Sequence, residues 1–238
     1  YSAVRMLGDT AIVAIDTRSE RIRNLKSTPN KGQVVSPKSY QMIFDKLKKL
    51  PKTCKHAYVL LSIPIVYPDL NWADEMLSVF TEKEDRYKWL NNMFGFVAET
   101  LDLKGVHGDI DLLDDLRDHW HSKYHKEERK ELVQAFQKFS LETGIRTTFI
   151  GGDVHSGGRG DFRTSTEDIP AEYDHRYMVQ LISSGIANKS APKIMVSAMR
   201  AAGMKTRDLD EHTEDRMIEF NRPAGVKQGK RKARSYSL

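Results

Sequence analysis

Apolar and polar positions change their period along the chain, and the changes alternate strands with helices. Residues 3–7 (AVRML) and 10–15 (TAIVAI) are two apolar runs around Gly8-Asp9, which predicts a strand, a tight turn and a second strand. The second run is apolar nearly throughout, as a strand covered on both faces is. Residues 24–36 hold Pro29, Asn30 and Gly32 without periodicity and read as a loop. Tyr40, Ile43, Phe44, Leu47 and Leu50 then recur at helical spacing, with Ser36 as N-cap, Pro37 in the first turn and Pro51 beyond the end. A strand over 56–63 (HAYVLLSI) closes at Pro64 and completes a strand–helix–strand unit. The loop from Pro64 to Trp72 reads as a cleft wall or as packed surface.

Residues 73–101 carry two apolar stretches, Met76–Phe80 and Trp89–Val97, and default to helix. Lys126 to Ser140 is a strong helix with Leu132, Ala135, Phe136 and Phe139 on one face, closed by Gly144. It hands over to a β-branched and aromatic strand, Thr147 to Ile150, that ends at Gly151-Gly152, where glycine permits a bend or a close approach. A loop follows from Asp161 to Pro170. Residues 177–183 (YMVQLIS) read as a strand and 188–203 as a short helix, and 205–222 are highly charged. The expected class is α/β.

Composition narrows the class further. The chain has 238 residues, 39% hydrophobic and 30% charged, enough for a sizeable core, and no apolar run reaches membrane-spanning length. Cys54 is the single cysteine, so neither an internal disulfide nor a cysteine-based zinc knot is possible; a reducing compartment fits, and the expected location is intracellular, cytoplasmic or peripheral to a membrane. The net charge of +5 resides in the tail. Lys227, Lys230, Arg231, Lys232 and Arg234 lie in 223–238 without an acid, and removing these five from the 38 basic residues leaves 33 against 33 acidic ones. No nucleic-acid partner is therefore expected. The tail reads as low-complexity and disordered.

Candidate chemistry collects where strands end. Asp153 and His155 are two apart, a spacing that in extended chain sends both side chains to one side. A carboxylate with an imidazole suits Zn, Fe or Mn. The same four residues also read as an Asp-capped turn followed by a polar histidine. At the end of the second strand, Asp16 and Arg18 suit metal or oxyanion chemistry, or a salt bridge that holds the loop. Asp102, Asp109, Asp111, Asp114, Asp115 and Asp118 repel one another unless cations or helix N-termini compensate. His119, His121 and His125 follow, as candidate general acids or as surface decoration.

Several of these blocks, in this order, are similar to one family. VRMLG at 4–8, AIDTRSER at 14–21, LLSIPIVYP at 60–68, LLDDLRDHWHSKYHKEERKEL at 112–132, GGDVH at 151–155, DHRYMVQLISSGIAN at 174–188 and DLDEHTEDRMIEF at 208–220 together resemble the PhoD-like alkaline phosphatases of the metallophosphoesterase superfamily, in particular their fungal-type members. The resemblance implies a metal-dependent phosphoester hydrolase. Its fold would be the C-terminal part of a two-sheet sandwich flanked by helices, covering 1–222 and followed by the basic tail at 223–238.

Carried over, Asp153 and His155 fall on the family's last metal motif, and Asp115 and Asp118 in its aspartate segment, with Asp118 the better match. Asp16 and Arg18 fall on a loop-structuring D-x-R turn without an implied metal bond. Beside these, the candidate catalytic residues are His119, of the three histidines that could serve as general acid, and Arg159, a phosphate contact or a solvent-facing residue. The implied cofactors are divalent or trivalent ions (Fe, Zn, Mn or Ca). The family's GDQIY-type and DDHD-type motifs are absent and would lie upstream of Tyr1, so the preceding part of the same protein is an expected partner and residues 1–238 alone are expected to show little activity. SGGRG at 156–160 also departs from the apolar run expected after GDVH. The alternative is a non-catalytic module whose tail docks on an anionic membrane or an acidic partner.

Overall fold

The structure, a computed structural model, describes residues 1–22, 33–68, 119–122, 124–153, 157–184 and 205–218. The expected helices over 73–101 and 188–203 and the tail lie outside the described residues. Within them the chain runs β1 (Ala3–Leu7), β2 (Thr10–Ala14), α1 (Pro37–Leu47), β3 (His56–Leu60), α2 (Lys126–Thr143), β4 (Arg146–Asp153), β5 (Gly158–Thr164), β6 (Met178–Ser184), β7 (Arg207–Asp208) and β8 (Thr213–Ile218). The strands join in one mixed sheet of order β1-β2-β3-β4-β6-β5-β8-β7, and the class is α/β and sandwich-like.

The sheet has a parallel centre and antiparallel flanks. β2, β3, β4 and β6 run parallel, with Val13 opposite Val59, Val59 opposite Phe149 and Phe149 opposite Gln180. β1 joins β2 through the tight turn at Gly8, whose φ of 64° is a left-handed conformation that glycine adopts without strain. The crossovers from β2 to β3 and from β3 to β4 contain α1 and α2, and β4 reaches its parallel neighbour β6 by way of β5. Strand alternation sends Ala11, Val13, Ala57, Val59, Phe149 and Met178 into the core.

Each helix begins and ends for a local reason. The Ser36 side chain accepts the Ser39 N–H at 3.2 Å and Pro37 supplies the preset first turn, so α1 starts where the cap pattern places it. α2 has Glu127 and Glu128 in its first turn, where the helix dipole favours anions, and stops at Gly144, whose φ is 72°. Its buried residues Leu132, Val133, Phe136, Phe139 and Ser140 recur at helical spacing. Phe136 binds the layers together: its ring lies 5.1 Å from Phe44 of α1 and 5.4 Å from Phe149 of β4, which in turn lies 6.2 Å from Phe162 of β5. Such edge-on aromatic pairs add roughly 0.5–1.5 kcal/mol each beyond the area they bury.

Three expectations change. The strand expected to end at Gly151-Gly152 continues through both glycines to Asp153. The loop expected from Asp161 to Pro170 begins as strand, β5 reaching Thr164. The charged stretch after 205 contains β7 and β8, with β8 paired to β5 from Thr164↔Thr213 to Arg159↔Ile218 and β7 paired to β8.

Candidate functional site at the carboxyl edge of the sheet

Because β2, β3, β4 and β6 run parallel, their carboxyl ends share one edge, the place where ligands of open α/β sheets gather. Asp16, Thr17 and Arg18 leave β2 there, Ser62 leaves β3, and Asp153 is the last residue of β4, in register with Ser184 of β6. β5 runs the opposite way and starts at this edge, bringing Arg159 between Leu181 and Ile218 as a half-buried residue. Three of the candidates, Asp115, Asp118 and His155, lie outside the described residues.

The Asp16 loop is held by its own carboxylate. Asp16 accepts the backbone N–H groups of Arg18 at 3.0 Å and Ser19 at 2.9 Å, and the Ser19 hydroxyl. The carboxylate takes the Arg18 backbone rather than its guanidinium, which stays exposed at the surface. Next to it the buried Thr17 hydroxyl bonds the Ser62 hydroxyl and ties the turn after β2 to the turn after β3. Glu20 fastens the loop to α1, accepting the Ser36 N–H at 3.0 Å and the Ser39 hydroxyl at 2.6 Å. Burial pushes Glu20 up, and the bonds from Ser39 and Ser36 outweigh it and leave it below its ordinary value.

The double glycine serves an approach between backbones. After β3 the chain crosses the sheet: a Cβ on Gly151 would stand 2.9 Å from Pro64 Cα, and one on Gly160 would stand 2.6 Å from Val66 Cγ1 and 2.9 Å from the Arg216 carbonyl. Gln180, fully buried on β6, receives the Ile65 N–H at 2.9 Å and donates to the Leu181 carbonyl at 2.6 Å. The Ile65 carbonyl accepts from Arg129 Nε at 2.7 Å. This segment carries Tyr67, whose ring stacks on His119 at 4.6 Å and 8°.

The three histidines are not surface decoration. His121 and His125 are buried and His119 is partly so. Tyr67 N–H donates to His121 Nε2 at 3.2 Å, which requires an acceptor there; burial, reinforced by Arg129 and Arg207, holds His121 well below its ordinary value. His121 is thus a neutral acceptor, and His119 is the member of the trio left with solvent access.

The polar core around β5 and β8 escaped the sequence reading. Asp215 is fully buried and accepts from Arg129 of α2 and, at 3.1 and 2.8 Å, from Arg207 of β7. Asp161 pairs with Arg163 at 3.1 Å and Arg216 at 3.2 Å, and Asp174 caps Thr164 through its backbone and hydroxyl. The available signal was five acids among the eight residues of DLDEHTED, which hydrophobic patterning passes over. Among the described residues no three His, Cys, Asp or Glu side chains are placed to hold a metal ion. Asp153 closes β4 at this edge, and no described helix is long and apolar enough to cross a membrane.

An α/β sheet with polar turns converging on its carboxyl edge defines a ligand-binding class rather than a particular chemistry. The family model described as PhoD related phosphatase matches residues 1–107 and again 102–219. The chain belongs to the PhoD-related phosphatase family. It is also similar to the uncharacterized protein YGR266W of Saccharomyces cerevisiae (strain ATCC 204508 / S288c), at 29% identity over 211 residues, covering 80% of this chain. The chain spans 28% of that relative's length.

Proposed function

We propose that this region forms one part of a metal-dependent phosphoesterase site, completed in the whole protein by residues that precede Tyr1. What supports the reading is the register that puts Asp153 at the carboxyl end of a central parallel strand, in a chain of phosphatase family. Asp153 and His155 would hold metal, with Asp118 or Asp115 as a further ligand. Divalent or trivalent ions bound there supply Lewis acidity and an activated water. Around them this chain contributes the rest. The Asp16 loop, closed on itself, would shape the wall beside the site; Arg159 would meet phosphate oxygens; and His119, stacked on Tyr67, would protonate a leaving group. Residues 1–238 alone would hydrolyse little, because Asp153, His155 and one of the two aspartates would serve a single ion and the rest of the metal shell would come from the remainder of the whole protein.

The test compares the whole protein with Asp153→Ala. Metal content by mass spectrometry falls in the variant, and hydrolysis of p-nitrophenyl phosphate and of its bis ester falls with it, while circular dichroism is unchanged. Full metal content together with full activity in the variant sinks the proposal, and the ratio of the two substrates separates monoester from diester action.

A further inference from the structure

Residues from the N-terminal halves of α1 and α2 line a groove of about 500 Å³ that the phosphoesterase reading does not use. Its floor is apolar, made by Tyr40, Phe44 and Leu132. Its rim is acidic, with Glu127, Glu128 and Glu131 within little more than one helical turn, and none of the described residues lining it is basic. The three carboxylates differ in availability. Glu128 accepts the N–H groups of Val34 at 2.7 Å and Val35 at 2.8 Å and the Tyr40 hydroxyl at 3.1 Å, so it holds the groove wall together. Glu127 and Glu131 are exposed and turn their charge outward. An apolar floor under a negative rim fits side chains with an aliphatic stem and a cationic head, which lay the stem on the rings and reach the carboxylates.

We propose that the groove receives the basic segment at residues 227–234 of this same chain. That segment has Lys227, Lys230, Arg231, Lys232 and Arg234 without an acid, so its charge complements the rim. It is also within reach. β8 ends at Ile218, three residues after Asp215, whose carboxylate is bonded to Arg129 of α2, the helix that forms one wall of the groove. The groove lies on the other flank of α2, about 10 Å across the helix. The nine residue steps from Ile218 to Lys227 span up to about 30 Å. Docking here would also withhold the tail cations from an anionic membrane, so the two surfaces compete.

A charge-swap experiment on the full chain tests this. Glu127→Lys with Glu131→Lys reverses the rim, Lys230→Glu with Arg231→Glu and Lys232→Glu reverses the tail, and a third protein carries both sets. Glu127 and Glu131 are exposed, and circular dichroism checks that the fold persists in every protein. The readout is trypsin cleavage after Lys227, whose flanking residues are the same in every protein. At low ionic strength each single reversal accelerates cleavage roughly tenfold, the effect of two or three exposed ion pairs. The combined protein returns to within about twofold of the parent, and salt near 1 M removes the parent's protection. Binding to phosphatidylserine vesicles rises in the rim variant by a similar factor. Equal cleavage rates in all four proteins, or vesicle binding indifferent to the rim, overturns the assignment.

Discussion

Replacing Asp215 with Asn keeps the side chain's shape and removes its charge, and the structure says what is left behind. Arg129 is a buried cation. Its Nη2 bonds Asp215, its Nε bonds the Ile65 carbonyl, and its guanidinium lies 5.4 Å from the Phe162 ring centre. Without the carboxylate that guanidinium stays buried beside Arg207, uncompensated, which costs about 3–5 kcal/mol. Arg207→Met is milder. It removes two charged hydrogen bonds, at 2.8 and 3.1 Å, yet leaves Asp215 paired with Arg129, so about 2 kcal/mol is expected. Asp215→Leu combined with Arg129→Met removes both buried partners together and recovers most of the loss, because Arg207 is 16% exposed and can turn its charge to water. In urea, with a slope near 2 kcal/mol/M, Asp215→Asn lowers the unfolding midpoint by about 1.5–2.5 M at unchanged slope. A shift below about 0.5 M, or a double variant no better than Asp215→Asn, refutes the claim that this carboxylate neutralises the interior. The consequence reaches the site, since the same arginine holds the segment that carries Tyr67 and, through it, His119.

The other predictions use the same measurement. Gly160→Ala drives a methyl into Val66 and the Arg216 carbonyl and costs about 1–3 kcal/mol; combining it with Val66→Ala relieves part of the clash, so the two losses sum to less than their separate values. Ser36→Ala removes the cap of α1 and costs about 1 kcal/mol. Burial first, then Arg146 for His56, Arg129 and Arg207 for His121 and Arg176 for His175, hold these histidines below 6.5. The unfolded chain therefore binds more protons below that pH, so their contribution is fully present above about pH 6.5 and is lost as pH falls through it toward the folded values. The midpoint drops between pH 7 and 5, and His121→Gln, which keeps an acceptor for Tyr67, flattens the drop; an unaltered pH profile in that variant refutes the buried, neutral assignment.

What could be read from the sequence and what could not divides along a physical line. α1 was legible because Ser36, Pro37 and its apolar stripe are local signals that act within one turn. β2, β3 and β4 were legible because a parallel centre buries Val13, Val59 and Phe149 and so writes apolar runs into the chain. β5 and β8 were not. Their inward positions mix Phe162 and Met217 with Gly158, Gly160, Thr213 and Asp215, which are chosen by what crosses or faces them, and a buried carboxylate has no hydrophobic signature. Gly151 illustrates the limit most directly, since a glycine after an apolar strand reads locally as an end. Pairing with β6, from Gly151 opposite Ile182 to Asp153 opposite Ser184, carries β4 on, and the glycine itself answers to Pro64, eighty-odd residues earlier in the chain. The position of the candidate ligand thus depends on a contact that no local pattern contains. A side chain at Gly151 should accordingly disturb the site through Pro64 before it disturbs the strand itself, so that a substitution there impairs metal retention in the whole protein while β4 still pairs with β6.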